Sequence, residues 1–467
     1  MKQICDLERY LSMTPSELAG SVLHCAECGR DHVIPINLVH CEADLISGIP
    51  DLIEDILGSR ANKVGVIYDK HIEEKIFNLC LKRWDSHLMD YVRIPLGTKN
   101  CVLEASEEIG DQAAERLPDG IDFLVGVGSG VISDLTKWIA TQKSLPYLLL
   151  GTAASMNAYT SITASMTKDK IKTTKDVDIA SAVLLDPGML QTAPKEMTCA
   201  GVGDLLARNI ANADWKLSQM IRGTNFCSVP FQLMQKYQEF MILKIEEIKK
   251  NEMQGIKTLA DAILISGYSM TMLAGETSPS SGTEHVLSHF FDYQHEIYQL
   301  PKNYHGTQVG LGTIIMGTAF DILRSMTASD FNIDEILERR PSKSARKEEH
   351  RRIFGDDAVL FDDVMDKKRI NDLDFPEYIK GIIDDWDVLW DSVTPYLMPS
   401  DEIRMVMEKL GAAIKLSEIN RSQENTIQAL LFGSLYRSRY TILDLFWELG
   451  LFPKYAQIIL EKSGVLA

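Results

Sequence analysis

No run of apolar residues in this 467-residue chain is long enough to span a bilayer, and residues 1–13 lack the apolar core of a secretory leader. The chain is therefore expected to stay in the cytoplasm. Basic excess is also missing: 66 acidic residues against 48 basic ones give a net charge of -18. That sign argues against nucleic acid or an anionic membrane as the main partner. A small anionic substrate stays open, because the local field of a pocket can oppose the global sign. Cysteine is sparse, eight residues scattered over a large chain, which fits reduced thiols better than a disulfide framework. Internal repeats and low-complexity tracts are absent.

What remains is the composition of a globular enzyme, 45% apolar and 24% charged, at a length that implies two or three domains. Up to Asp186, short apolar runs alternate with helical patterns: Lys63–Asp69, Tyr91–Ile94, Phe123–Val127, Tyr147–Leu150 and Ala182–Asp186. Continuous apolar strands spaced by helices predict a parallel sheet covered on both faces, an α/β nucleotide-binding fold. Beyond Pro194 the period becomes helical, with long segments at Phe231–Lys250, Leu259–Ala274 and Thr426–Leu449. The expected division is an α/β dinucleotide-binding domain over 1–190 and an all-helical domain over 191–467. A basic run at Arg339–Lys347 and His350–Arg352 reads as a solvated helix face. Near the start, His24-Cys25-Ala-Glu-Cys28-Gly-Arg-Asp-His32 has the form of a zinc knuckle. No second C-x-x-C completes four ligands, so a tight hairpin carrying two thiols is the preferred reading.

Four of the ten histidines fall between positions 285 and 305. Ser281 and Glu284 have the S-x-x-E form of a capping box, predicting a helix from there to the stop at Pro301. His285 and His289 then stand one turn apart on one face. His305 precedes a Gly-rich apolar helix, Gly306–Leu323, whose positive end keeps an imidazole neutral, as a metal ligand must be. A catalytic divalent metal needs a further protein ligand, and the spacing does not say which. A polar helix face or a satisfied buried pair is the competing reading.

Phe123-Leu-Val-Gly126-Val-Gly128-Ser129-Gly130 leads into Val131-Ile-Ser-Asp134-Leu-Thr-Lys137. Glycines between an apolar strand and a helix let backbone amides approach a ligand, and the helix start favours phosphate. This is not the usual G-x-G-x-x-G fingerprint, and a merely tight strand–helix turn is the alternative. Thr152, Ser155, Asn157 and Ser161 follow the next strand, where small polar residues line a crevice or a tight loop. Asp69 ends an earlier strand, where either a ribose-binding carboxylate or an exposed loop aspartate would sit.

Gly128–Lys137, Thr152-Ala-Ala-Ser155, Ala200-Gly-Val-Gly-Asp204-Leu-Leu-Ala207, Gly282-Thr-Glu-His285 with Ser288-His289, His305-Gly306 and Arg437–Gly450 together resemble bacterial sn-glycerol-1-phosphate dehydrogenases. These belong with iron-type alcohol dehydrogenases, glycerol dehydrogenases and dehydroquinate synthases, so a dehydroquinate synthase-like fold is expected. The resemblance supplies the missing carboxylate: Asp204, His285 and His305 match metal ligands, and His289 matches a histidine that contacts substrate. Asp204 and His289 are thus the catalytic candidates. Gly128, Ser129, Gly130, Val131, Asp134, Thr152, Ser155 and Ser161, with Asp69, match dinucleotide-contacting positions. The implied cofactors are NAD(P)H and one divalent metal ion, zinc, nickel or iron. The implied reaction is reversible reduction of dihydroxyacetone phosphate by a homodimer, in the service of phospholipid synthesis. Asn157 stands where the family usually has a substrate-contacting aspartate, which bears on substrate identity, and Lys172 is a candidate for the substrate phosphate. A related polyol or ketone as substrate, or a catalytically altered homologue with a binding role, are the alternatives.

Overall fold

The computed structural model describes residues 1–84, 90–98, 102–168 and 171–466. Of the eight cysteines, Cys101 lies outside them. The strands are β1 Lys2–Ile4, β2 Ser21–His24, β3 Asp31–Val33, β4 Leu38–Cys41, β5 Val64–Asp69, β6 Tyr91–Leu96, β7 Phe123–Gly128, β8 Tyr147–Gly151, β9 Thr163–Lys168, β10 Ile171–Asp176 and β11 Ala182–Leu185. Six of them form one sheet in the order β4-β11-β8-β7-β5-β6, parallel throughout. All five strands read from the sequence are in it. Its inner strands are buried on both faces, which is why they read as unbroken apolar runs rather than alternating ones. Alternate residues Val64 and Val66, Phe123 and Val125, Leu148 and Leu150, and Ala182 and Leu184 form one packed face.

Strand β4 was not foreseen. It is an edge strand of four residues that pairs only with β11, with alternating burial, and so carries no apolar run. The antiparallel ribbon β9–β10 escaped for a similar reason, since β10 is Ile-Lys-Thr-Thr-Lys-Asp with no buried residue. The expected tight hairpin is present as β2–β3, pairing Leu23 with His32.

The chain divides into two compact units, one of Met1–Leu205 with Ser228–Thr277, the other of Leu206–Cys227 with Ser278–Ala467. The first therefore contains the sheet and also the helices Val229–Leu243 and Met253–Thr271. The second is helical, built around the helices Thr283–Tyr298 and His305–Arg324, which pack on one another. A Cβ at Gly312 would stand 2.9 Å from the carbonyl oxygen of Glu284, so glycine there permits the close approach of these two helices.

Two sequence readings are corrected in the helical unit. Thr426–Leu449 is not one helix: it breaks after Gln423–Phe432, and regular helix resumes at Ile442–Glu448, where Thr441 and Asp444 form a capping box. The basic run is not wholly solvated either. Arg346 is buried with its guanidinium 3.8 Å from the Trp447 ring, and buried His350 bonds Asp362 at 2.6 Å. Among the described residues no helix is long and apolar enough to cross a membrane.

Candidate active site

In the first unit, the register of β5, β7 and β8 sets the carboxyl ends of three strands side by side, with Tyr68 opposite Val127 and Gly128 opposite Gly151. Asp69 ends β5, Gly128 ends β7, and Thr152 and Ser155 follow β8. Helix Gly130–Lys143 begins directly after Ser129, whose side chain makes no capping bond. The first amides of that helix are donors of the kind that hold a pyrophosphate. A Cβ at Gly128 would meet Ile132 at 2.4 Å, and one at Gly126 would meet Thr136 at 2.5 Å. These glycines thus let the first turns of the helix fold back on the strand.

The remaining dinucleotide candidates occupy that end with distinct partners. Asp69 accepts from the backbone N–H of His71 and pairs with its Nδ1, each at 2.9 Å. The Ser161 hydroxyl lies 2.8 Å from that of Thr163 and accepts its backbone N–H, so its first duty is to the turn. Thr152 donates its N–H to the Gly128 carbonyl at 3.0 Å. Asp134 is buried beneath the helix start, 3.9 Å from the Lys137 ammonium. Burial raises its pKa to about 6 despite the opposing fields of Lys137 and Lys172. Lys137 is fully buried, donates to the carbonyls of Ala158 and Thr163, and so fastens the 152–163 loop to the helix.

That loop is also held by glycines. Gly201 lies in helix Lys195–Leu206, and a Cβ there would stand 1.9 Å from the Ala154 carbonyl oxygen. Gly267 does the same from helix Met253–Thr271, 2.5 Å from the Asn157 carbonyl oxygen. One turn beyond Gly201, buried Asp204 accepts the backbone N–H of Asn157 at 3.1 Å through Oδ2. A main-chain donor makes this bond, so it is available whether residue 157 is Asn or Asp.

In the helical unit, His285 lies in the first turn of its helix and His305 is the first residue of the next. Their rings are 5.1 Å apart between centroids, and His289 is 5.8 Å from His305. Glu284 Oε1 stands 2.7 Å from His285 Nδ1, which fixes the proton on Nδ1 and leaves Nε2 as a lone-pair donor. His305 Nδ1 faces the Ser288 hydroxyl at 3.2 Å. Ser288 is held in turn by Gln308, whose amide nitrogen donates to its hydroxyl at 2.9 Å and its carbonyl at 3.1 Å. Both imidazoles are therefore oriented by a partner on the nitrogen away from a ligand position.

The expected capping box does not form. Glu284 Oε1 accepts instead from Gly282 N–H, and the Ser281 hydroxyl accepts from Arg437. The cap is Asp214, a fully buried carboxylate that accepts the N–H of Thr283 at 2.7 Å and of Ile442 at 2.8 Å. One residue thus fixes the start of the His285 helix and of the helix after the break at 437–441. Burial, with Glu284 adding to it, raises the Asp214 pKa to about 7. The break carries Arg437 to His289: the guanidinium donates to His289 Nε2 at 3.1 Å, and Arg439 bonds the Ser281 carbonyl. Burial, with the like charge of Arg439, lowers the Arg437 pKa to about 10.

Asp204 in the first unit offers a carboxylate oxygen, and His285 and His305 in the helical unit offer imidazole nitrogens. One carboxylate and two oriented imidazoles suit a catalytic divalent ion with open coordination positions. Glu284, Asp214 and Arg437 escaped the sequence reading as site residues. Glu284 offered a signal by its place beside His285, and Arg437 by opening the Arg437–Gly450 motif; Asp214 offered none.

Three comparisons bear on what this arrangement belongs to. Residues 41–194 match the iron-containing alcohol dehydrogenase family. A glycerol-1-phosphate dehydrogenase (NAD(P)+) from Geobacillus stearothermophilus is 28% identical over 66% of this chain and 75% of its own length. One from Pyrococcus horikoshii is 34% identical over 42% of this chain and 56% of its own length. The glycerol dehydrogenase structure from Schizosaccharomyces pombe shares the fold, with a TM-score of 0.56 at 14% identity over 91% of each chain. These likenesses support an oxidoreductase whose residues 41–194 are similar to the iron-containing alcohol dehydrogenases. More narrowly, it resembles the glycerol-1-phosphate dehydrogenases.

Proposed function

We infer that the protein catalyses metal-dependent, NAD(P)H-linked reduction of dihydroxyacetone phosphate to sn-glycerol 1-phosphate, and the reverse reaction. The observation that carries this reading is the oriented His285 and His305 pair of the helical unit, with Asp204 as the matching carboxylate, beside relatives named for that activity with NAD(P)+. A divalent ion held by these residues supplies Lewis acidity to a ketone or alkoxide oxygen, and the nicotinamide supplies or accepts the hydride. The amides at the start of helix Gly130–Lys143 would hold the pyrophosphate, with Gly128, Ser129, Gly130 and Val131 beside it, and Asp69 would serve the adenosine ribose.

The protein's own groups then have distinct work. Glu284 keeps His285 in the ligand tautomer, and Ser288 holds the His305 ring through Nδ1. Arg437 donates to His289 Nε2, so His289 is held neutral with its proton on Nδ1, ready to donate to a substrate oxygen. The half-buried Arg437 also adds positive field near His289, which favours a phosphorylated substrate over a neutral polyol. Lys172 is a second cation for that phosphate. A homodimer in the cytoplasm belongs to the same proposal.

The test is an assay of protein stripped by chelator and then restored with zinc, nickel or iron, using dihydroxyacetone phosphate and the unphosphorylated ketone in parallel. Turnover restored by metal and confined to the phosphorylated ketone, with sn-1 product by chiral analysis, is the expected result. Equal turnover of the unphosphorylated ketone would favour the related polyol reading, to which Asn157 in place of aspartate points. No turnover with any metal would sink the catalytic assignment.

A further inference from the structure

We propose that Cys25, Cys28, His32 and Cys227 bind a structural zinc ion, separate from the Asp204 group. Each offers one ligand atom, and the four atoms lie within 4.8 Å of one another. Three cysteines and a histidine are a standard ligand set for a closed, four-coordinate zinc site.

The local geometry suits that ion. Zinc holds thiolate sulfur at about 2.3 Å and imidazole nitrogen at about 2.0 Å, so two such ligands at tetrahedral angles stand about 3.5 Å apart. Cys28 Sγ and His32 Nε2 are 3.5 Å apart. His32 is buried, and its Nδ1 lies 3.3 Å from the Met272 carbonyl oxygen. A proton held there leaves the Nε2 lone pair directed at the cysteines, the arrangement by which metal-bound histidines are oriented. The C-x-x-C turn is shaped for convergence: Gly29 N–H donates to the Cys25 carbonyl, Cys25 N–H donates to the Arg30 carbonyl, and Gly29 takes φ +68°. A left-handed residue after the second cysteine suits glycine and folds both sulfurs to one side.

Cys227 is distant in sequence but tethered at the same turn. Its neighbour Ser228 donates both its backbone N–H and its hydroxyl to the Glu27 carboxylate, at 2.8 and 2.5 Å, and Glu27 lies between Cys25 and Cys28. None of the seven described cysteines is in a disulfide. Such an ion would join the β2–β3 hairpin to the segment leading into helix Val229–Leu243 and close a loop of some two hundred residues, a strong constraint on the unfolded chain.

The full-length protein, reconstituted with cobalt in place of zinc, provides the test. Thiolate-to-cobalt charge-transfer absorption reports sulfur ligands only, so the Asp204 group is silent in it and its fate is read separately. Wild type should show the band and, when loaded with zinc, should release one zinc ion on titration with an organomercurial. Cys227→Ser and Cys28→Ser should lose the band, whereas Asp204→Ala should keep it. Wild type without the band, or with cysteines that titrate fully without releasing metal, overturns the proposal regardless of how the variants fold. A band unchanged in soluble Cys227→Ser overturns the assigned ligand set.

Discussion

Replacing Gly201 by alanine tests whether the Asp204 helix and the 152–157 loop are packed as described. In a helix interior this exchange ordinarily stabilises by about 1 kcal/mol, because glycine loses more backbone freedom on folding. Here the added Cβ would stand 1.9 Å from the Ala154 carbonyl oxygen and 2.9 Å from its carbon. Both are backbone atoms with no rotamer to change, so helix and loop must part by roughly 1.5 Å to reach ordinary contact. Strain of that kind costs about 1–3 kcal/mol, which reverses the sign expected from helix propensity. The same displacement acts on Asp204, one turn along the helix, and on its 3.1 Å bond from Asn157. A shift of about 1 Å in a positioned catalytic group costs on the order of 100-fold in rate. Urea unfolding should therefore show Gly201→Ala destabilised, and steady-state assays should show kcat/KM reduced by about two orders of magnitude. Gly381 is the internal control: it lies in helix Phe375–Asp384, exposed, with nothing within 4 Å of an added Cβ. Gly381→Ala should stabilise by up to about 1 kcal/mol without changing activity. If Gly201→Ala behaves like Gly381→Ala, the packing of the helix on the loop is refuted.

The remaining expectations concern single groups. His285→Ala should lose both bound metal and turnover, whereas His289→Ala should keep the metal and lose about 10²–10⁴-fold in kcat; metal loss in the second variant would contradict its assignment to substrate. Glu284→Gln should weaken metal affinity about 10–100-fold by removing the carboxylate from His285 Nδ1, measured by competition with a chromophoric chelator, and an unchanged affinity would remove Glu284 from the site. Asp134 holds its proton more tightly folded, to about pH 6, than its ordinary value of 3.8. Its contribution to stability is thus fully present below about pH 4 and lost as pH rises through about 6, some 2–3 kcal/mol in all. Asp134→Asn should remove that part of the slope in Tm against pH, and a slope identical to wild type would show that Asp134 is not its source.

The parallel sheet was legible because burial on both faces leaves an unbroken apolar record in β5, β7 and β8, bounded by glycine where the chain must turn tightly. Edge strand β4 and the polar ribbon β9–β10 left no such record. Their places are set by backbone pairing, to which side-chain pattern contributes little. The return of residues 228–277 to the sheet's unit was equally invisible, since a helix pattern shows that a face is buried and not what buries it.

At the site, His285 and His305 drew notice by type and spacing and Asp204 only through the family resemblance, whereas residues that act by capping a helix or orienting a neighbour left little signal. Asp214 illustrates the difference. In the sequence it is one acidic residue inside a helical stretch, Arg208–Arg222. In the structure it accepts the first amides of two helices, one carrying His285 and the other following Arg437. Periodicity along one segment cannot encode a bond to residues 69 and 228 positions away. The same limit hid Cys227. Read alone, the C-x-x-C turn is short of ligands, and the missing sulfur is supplied by a residue whose only local distinction is the serine that follows it. A local motif therefore reports reliably on the ligands within its own turn and gives no information on the partner that completes it. For this chain that limit, and not an absence of donors, is why a metal reading of Cys25 and Cys28 could not be carried on sequence alone.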